Sequence, residues 1–236
     1  MGGCTIPMKV VIVYVYAPGG TGTPGGRECD FYSQRFLESY HSNPPGMDHE
    51  TAIVLNGTRA NSEISCLFSS LPKCSFLEHD NSGYDIGAFQ FAARTIPCDL
   101  MVFFGASTYY PRPGWLVRMT SAYKKHGVAQ YGAMGSGAEL RARVWAHIRT
   151  TAFWMPPQLM NEYPKIVVNP ADRHPFEHGI DCLTEWIKRQ GMVSWEVTWQ
   201  RELPVKDWGS DPNGFHRGNQ SSLLAGDRMC EPPYYP

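Results

Sequence analysis

The run MKVVIVYVY, Met8–Tyr16, sets the strongest constraint on what this chain can fold into. It is apolar without alternation, rich in β-branched residues, and followed by the glycine-rich stretch APGGTGTPGG. A strand of this kind offers no face to water, so it belongs inside a sheet covered on both sides. The pattern after it supplies the cover. Phe31, Tyr32, Phe36, Leu37 and Tyr40 recur at helical spacing before Pro44-Pro45, and TAIVLN (Thr51–Asn56) reads as a second strand. Ile64, Leu67, Phe68 and Leu71 mark a helix capped by Asn61 or Ser62. CSFLEH (Cys74–His79) is a third strand, a helix runs from Asp85 towards Ile96, DLMVFF (Asp99–Phe104) is a fourth strand, and Trp115 to His126 is a further helix. This order predicts an α/β fold, a mostly parallel Rossmann-like sheet with helices on both faces in a single domain. Ligands of such sheets sit beyond the carboxyl ends of the strands.

From Gly127 the rhythm changes. Strands are expected at Val128–Ala133, His147–Met155 and Met192–Gln200. Pro156-Pro157 opens a short helix, and a longer one is expected from Glu177 to Arg189, stopped by Gly191. Beyond Pro204, Gly, Pro, Asp and Asn dominate, and this tail is expected to cross the front of the sheet. The domain thus reads as two halves, 8–126 and 127–203, with a tail over 204–236.

Composition excludes several classes. At 236 residues, 42% hydrophobic and 18% charged, the chain has material for one core. Lys and Arg total 21 against 22 acids, which leaves no excess of positive charge for a nucleic-acid groove. The seven cysteines form no CxxC pair and their number is odd, so the reading is a reduced, cytoplasmic chain without structural zinc. Val10–Ala17 is too short to cross a bilayer, which takes roughly 20 residues, and no transmembrane segment is expected. Ile6 stands where a myristoylation signal wants Ser or Thr. The sequons at Asn56 and Asn219 are short patterns of little weight.

The glycine-rich loop has no GxxxxGK[ST], no lysine, and no GxGxxG opening a helix, so P-loop and dinucleotide sites are disfavoured. It reads as a loop that folds over a nucleotide or as a plain surface loop. The absence of a GxSxG elbow speaks against a hydrolase. The most informative stretch is HDNSGYDIGAFQFAA, His79–Ala93, which sets Asn81, Gly83, Asp85 and Gly87 directly after a strand. Gly83 permits a tight turn, and Gly87 lets the helix pack close to the sheet. Asp85 has two readings: it holds a ligand, or it only complements the helix N-terminus.

NSGYDIGAF resembles the N-x-G-x-D-I-G-x-[YFW] signature of the rhamnan synthesis protein F family of glycosyltransferases. Further landmarks follow in the same order. DLMVFFGASTYYP is similar to that family's strand and turn, where Asn-Asp-Ser precedes an aromatic and a proline. QYGAMGS (Gln130–Ser136) resembles its Trp-Gly-hydroxyl segment, and HIRTTAFWMPPQLM (His147–Met160) its His-x-x-[ST]-x-[FY]-[FL] strand. FEHGIDCLTEWIKRQG (Phe176–Gly191) resembles its [YF]-E-x-G-[LI] helix. The resemblance covers about Asn81 to Gly191. It implies a GT-A fold, a nucleoside-diphosphate sugar as donor, a glycan or glycolipid as acceptor, and inverting transfer in polysaccharide or glycan synthesis. Residues 8–126 would bind the nucleotide and 127–203 the acceptor.

One departure bears on the metal. GT-A enzymes hold the donor through Mn²⁺ or Mg²⁺ on a DxD-like turn after the fourth strand, and here that turn reads Gly105-Ala106-Ser107. With Ala106 in the acid's place an ordinary metal site is in doubt. The phosphates would then fall to Ser107, Thr108, Arg112, Arg149 and His216. The same departure keeps open a second possibility, a non-catalytic nucleotide-sugar or glycan-binding domain of this fold. On the resemblance, Asn81, Gly83, Asp85, Ser107, His147, Arg149 and His216 are the nucleotide-sugar ligands. On a continuous strand His147, Arg149 and Thr151 would share one polar face. The catalytic base would be Glu177, the acid of the E-x-G segment, expected at a helix start after Pro175. Asp181 is its rival one turn on, and Asp172 a weaker choice.

Overall fold

The computed structural model describes residues 7–18, 29–136, 146–208, 210–211 and 219–230. In chain order its elements are β1 Val10–Tyr16, α1 Cys29–Ser42, β2 Glu50–Asn56, α2 Ser62–Leu67, β3 Cys74–His79, α3 Tyr84–Thr95, β4 Leu100–Phe104 and α4 Trp115–His126. Then come β5 Gln130–Gly132, β6 Gly135–Ser136, β7 His147–Ile148, β8 Ala152–Met155, α5 Pro157–Glu162, α6 Pro170–His178, α7 Leu183–Arg189, β9 Ser194–Val197 and β10 Glu202–Pro204.

The main sheet has the order β10-β9-β5-β8-β4-β1-β2-β3. Strands β3, β2, β1 and β4 are parallel, β8 runs antiparallel between β4 and β5, and β9 returns parallel to β5. Every residue of β1 is buried, as an unalternated apolar run requires. Val10, Ile12, Tyr14 and Tyr16 enter a core shared with Phe36 of α1, Ile64 of α2 and Trp115 of α4. Val11, Val13 and Val15 enter another, shared with Phe89 of α3, Leu159 of α5, Phe176 of α6 and Ile187 of α7. Helices therefore cover both faces. Helix α2 is capped as expected, with Asn61 Oδ1 accepting the Ile64 N–H at 2.8 Å.

Two expected elements break. The strand expected over His147–Met155 is divided between β7, which pairs with β6 in a separate ribbon, and β8 in the main sheet. Residues 149–151 leave the ladder because other partners claim their backbone. Arg149 N–H donates to the Met134 carbonyl at 3.0 Å, and the Thr151 carbonyl accepts the Gly105 N–H at 3.0 Å. His147, Arg149 and Thr151 therefore do not form one strand face. The helix expected over Glu177–Arg189 is also two helices. Helix α6 starts well before Glu177, at Pro170, and stops where Gly179 turns extended, with φ −86° and ψ 172°. Glu177 is thus in a last helical turn, not a first one. Asp181 lies in the turn between α6 and α7, off both helices.

Candidate functional site

At the carboxyl edge of the sheet, α6 meets the start of α3, just after β3, and the loop before β8, which is itself bonded to the turn after β4. Three residues of left-handed backbone, Asn81 (φ 69°), Gly83 (φ 71°) and Tyr84 (φ 54°), turn the chain from β3 into α3. Glycine is required twice here. A Cβ on Gly83 would stand 2.1 Å from the Val167 carbonyl oxygen, and one on Gly87 would stand 1.9 Å from that of Ser82. The close approach that these glycines allow is thus to the chain's own backbone. Asn81 Oδ1 accepts from the Asn56 amide at 2.8 Å, and Asn56 Oδ1 bonds the His79 ring at 2.7 Å. Asn56 is buried with both ends of its amide engaged, so the folded chain closes that sequon.

Asp85 follows this turn, in the first turn of α3. Its Oδ1 takes the Ile86 N–H at 3.1 Å, and its Oδ2 lies 3.6 Å from the Arg173 guanidinium. Arg173 Nε in turn stands 3.1 Å from Glu177 Oε2, one helical turn along α6. The other Glu177 oxygen accepts the Thr150 hydroxyl. Glu177 is only 13% exposed, against 42% for Arg173. Burial raises the Asp85 pKa above the ordinary carboxylate range; Arg173 opposes this and Glu177 adds to it. A carboxylate near the negative end of a helix dipole is unfavourable, so the guanidinium and the hydroxyl supply the compensation that a helix start was expected to give.

Histidines line the same cluster. The buried His147 ring meets His178 edge-on at 4.3 Å, and His174 lies 5.0 Å from His178 between ring centroids. Burial lowers the His178 pKa; Glu177 opposes that shift, and His174, Arg149 and Arg173 reinforce it. Arg149 has a sealed Nε with no hydrogen-bond partner, and among the described residues its guanidinium has no ion pair. Arg173 Nε is likewise buried without a hydrogen bond, though it is ion-paired with Glu177.

The turn after β4 is tied down from several sides. The Ala106 carbonyl accepts the Tyr14 hydroxyl at 2.7 Å, and the Ser107 carbonyl accepts from Arg35 at 2.5 Å. Ser107 Oγ accepts the Arg228 N–H at 3.4 Å, so the segment 219–230 crosses this turn, pinned also by the Tyr109–Gly226 bridge. Thr108 is buried and donates to the Thr151 carbonyl, and Arg112 donates to the Ser221 carbonyl and lies over Trp199, so both serve as internal ties. Asp172 accepts the Asn169 N–H at 2.9 Å as a capping box. Asp181 is half-buried and paired with Lys165 at 2.9 Å and Arg189 at 3.4 Å, and not with the Arg173 that holds Glu177. His216 and most of the glycine-rich loop lie outside the described residues. Sequence reasoning missed Arg173, His174 and His178. Their i, i+4 spacing in RHPFEH was a signal, concealed by placing the helix start at Glu177.

A divalent cation needs several carboxylate oxygens, and the Gly105–Ser107 turn offers none. Asp99 is at the opposite end of β4, where Oδ2 takes the Lys9 amide at 2.7 Å. Asp227 is buried near the turn; its Oδ1 takes the Met229 N–H at 2.7 Å, and its Oδ2 is buried without a hydrogen-bond partner. No group of three or more His, Cys, Asp or Glu among the described residues is arranged to hold a metal ion. Among the described residues, Asp227 Oδ2 is the one carboxylate oxygen by this turn without a hydrogen-bond partner, and a single such oxygen is fewer than Mn²⁺ or Mg²⁺ takes.

The sheet order, the parallel half and the helical layers define a GT-A-like, or nucleotidyltransferase-like, Rossmann fold. A protein of Bacillus anthracis described as a glucose-1-phosphate thymidylyltransferase, solved with sucrose, matches 78% of this chain and 85% of its own, with TM-score 0.51 and 10% identity. A mannosyltransferase of Pyrobaculum calidifontis, solved with GDP-Man and Mn²⁺, aligns with TM-score 0.48 and 10% identity over 68% of this chain and 48% of its own. HddC of Yersinia pseudotuberculosis aligns with TM-score 0.45 and 12% identity over 71% and 83%. No family model and no curated protein matches the chain. No helix among the described residues is long and apolar enough to cross a membrane.

Proposed function

We propose that this chain is a glycosyltransferase that moves a sugar from a nucleoside-diphosphate donor to a glycan or glycolipid acceptor, with inversion, in polysaccharide or glycan synthesis. The observation that carries this reading is Glu177, a carboxylate held by Thr150 and Arg173 at the carboxyl edge of a GT-A-like sheet. The resemblance of NSGYDIGAF and FEHGI to the rhamnan synthesis protein F family supports it from the sequence. Inverting transfer needs a base to take the acceptor hydroxyl's proton as its oxygen attacks the anomeric carbon. Glu177 supplies the base. The leaving diphosphate is met by Arg149, a guanidinium beside the Glu177–His178 cluster, and by Ser107 on the turn after β4. Arginine matches a diphosphate with a bidentate fork and substitutes for a metal's charge.

The test is turnover of UDP-, GDP- and dTDP-linked sugars with and without oligosaccharide acceptors, in the wild type and Glu177→Gln. The variant is expected to lose about 10²–10⁴ in turnover, the usual share of general-base help, and to keep its affinity for the nucleotide. Unchanged turnover in Glu177→Gln removes it from the role, and a product of retained configuration rejects the inverting scheme. Ala106 in the acid's place favours a second reading, a nucleotide-sugar-binding domain without catalysis. Binding of a nucleotide sugar with no turnover under any acceptor would select it.

A further inference from the structure

Asp85 carries the signature that the sequence links to the nucleoside, yet its carboxylate faces another way. Oδ1 is spent on the Ile86 N–H, and Oδ2 faces Arg173 at 3.6 Å. Arg173 then reaches Glu177 at 3.1 Å, so one guanidinium stands between two carboxylates from two helices. Gly83 and Gly87 fix the geometry, because they let the start of α3 lie against the Val167 backbone just ahead of α6. We propose that Asp85 is a positioning residue: it acts through Arg173 to set the place and charge balance of Glu177, and it does not touch the nucleoside. This rests on Glu177 being the base of the proposed transfer.

The physical argument is one of shared charge. A guanidinium shared between two carboxylates is pulled towards both, and its donor fork is oriented by the pair. Neutralising one carboxylate leaves the arginine to the other and changes its position and field. Burial raises the Asp85 pKa, with Glu177 adding to it against Arg173, so its protonation changes the charge that Arg173 shares with Glu177.

The experiment uses the ligand-free full chain with ¹³C-labelled Glu and Asp side chains, and the Glu177 carboxyl resonance assigned by its loss in Glu177→Gln. In the wild type that resonance is expected to show a second inflection at the pH where Asp85 titrates, above its ordinary value. Asp85→Asn, nearly isosteric, should erase the inflection, and Arg173→Gln should erase it as well. With UDP-, GDP- and dTDP-sugars, Asp85→Asn should lower kcat roughly tenfold, as for coupled members of one ion-pair network, with KM for the donor unchanged. An inflection that persists in Asp85→Asn, and persists again when His178→Gln removes the imidazole 3.8 Å from Glu177, overturns the proposal. So does a tenfold or greater loss of UDP, GDP or dTDP affinity in that variant with kcat unchanged, which would place Asp85 on the nucleoside. Because the inflection is read without ligand, a wild type that turns over no donor sinks the transfer reading alone.

Discussion

A guanidinium has five N–H donors and no acceptor, and a buried donor without a partner costs stability. Arg149 lies beside the Glu177–His178 cluster, with its Nε sealed and unbonded, as is that of Arg173; its proposed role is that of a phosphate ligand. Arg149→Ala is expected to weaken binding of a nucleoside diphosphate by about 10- to 100-fold, the worth of one charge-assisted contact, and to leave the affinity of the free nucleoside unchanged. Calorimetry with the paired ligands reads both. An equal loss for nucleoside and diphosphate would mean that Arg149 shapes the pocket and does not bind phosphate. At this scale the sequence was partly legible. The E-x-G match points to Glu177, and Glu177 does lie at the centre of an ion-pair cluster. The physical reason differs, because a last-turn carboxylate needs Arg173, and Arg173 matches no motif. Thr108 and Arg112 looked like phosphate donors in one dimension, and only the fold shows their hydroxyl and guanidinium bonded to backbone carbonyls.

Elements are legible where a single local rule governs them. The unalternated β1, the Asn61 cap of α2 and the strand–helix alternation up to α4 follow from periodicity and capping alone. Residues 147–155 and 170–189 were not, because competing long-range bonds and a prolyl- and glycyl-interrupted helix decide them. The glycines before and within α3 give a direct check of packing. Gly83→Ala combines a left-handed φ with a Cβ 2.1 Å from a backbone oxygen, and is expected to cost roughly 3 kcal/mol or more. Gly114→Ala has a similar φ but nothing within 4 Å, and is expected to cost only about 1 kcal/mol. Chemical denaturation compares them, and equal losses would refute the close approach to Val167. A second check lies where β10 meets α4. Burial alone would raise the Glu202 pKa, but hydrogen bonds from Lys125, Arg118 and His126 hold it at about 2 against an ordinary 4.5. The folded value is depressed, so its stabilisation is complete above pH 4.5 and is lost as pH falls towards 2. Glu202→Gln is expected to cost about 2 kcal/mol at pH 7, with the deficit shrinking over that window. A deficit that does not change with pH would show that the charge is not what matters.

For the whole molecule, the class of fold was visible in the sequence because β1 demands cover on both faces, whereas the strands β9 and β10 at one end of the sheet and the path of segment 219–230 depend on contacts that no local pattern records. The fold places the Asp85–Arg173–Glu177 cluster and Arg149 at the carboxyl edge, next to the Gly105–Ser107 turn, and there we propose a nucleoside-diphosphate site whose charge is met by side chains. Isothermal titration of the wild type with UDP, GDP and dTDP, free and sugar-linked, in EDTA tests it most directly. Binding of at least one is expected, with the same affinity when Mn²⁺ replaces the chelator. No heat with any of the six would contradict the nucleotide site, and binding that appears only with Mn²⁺ would contradict its metal-free chemistry.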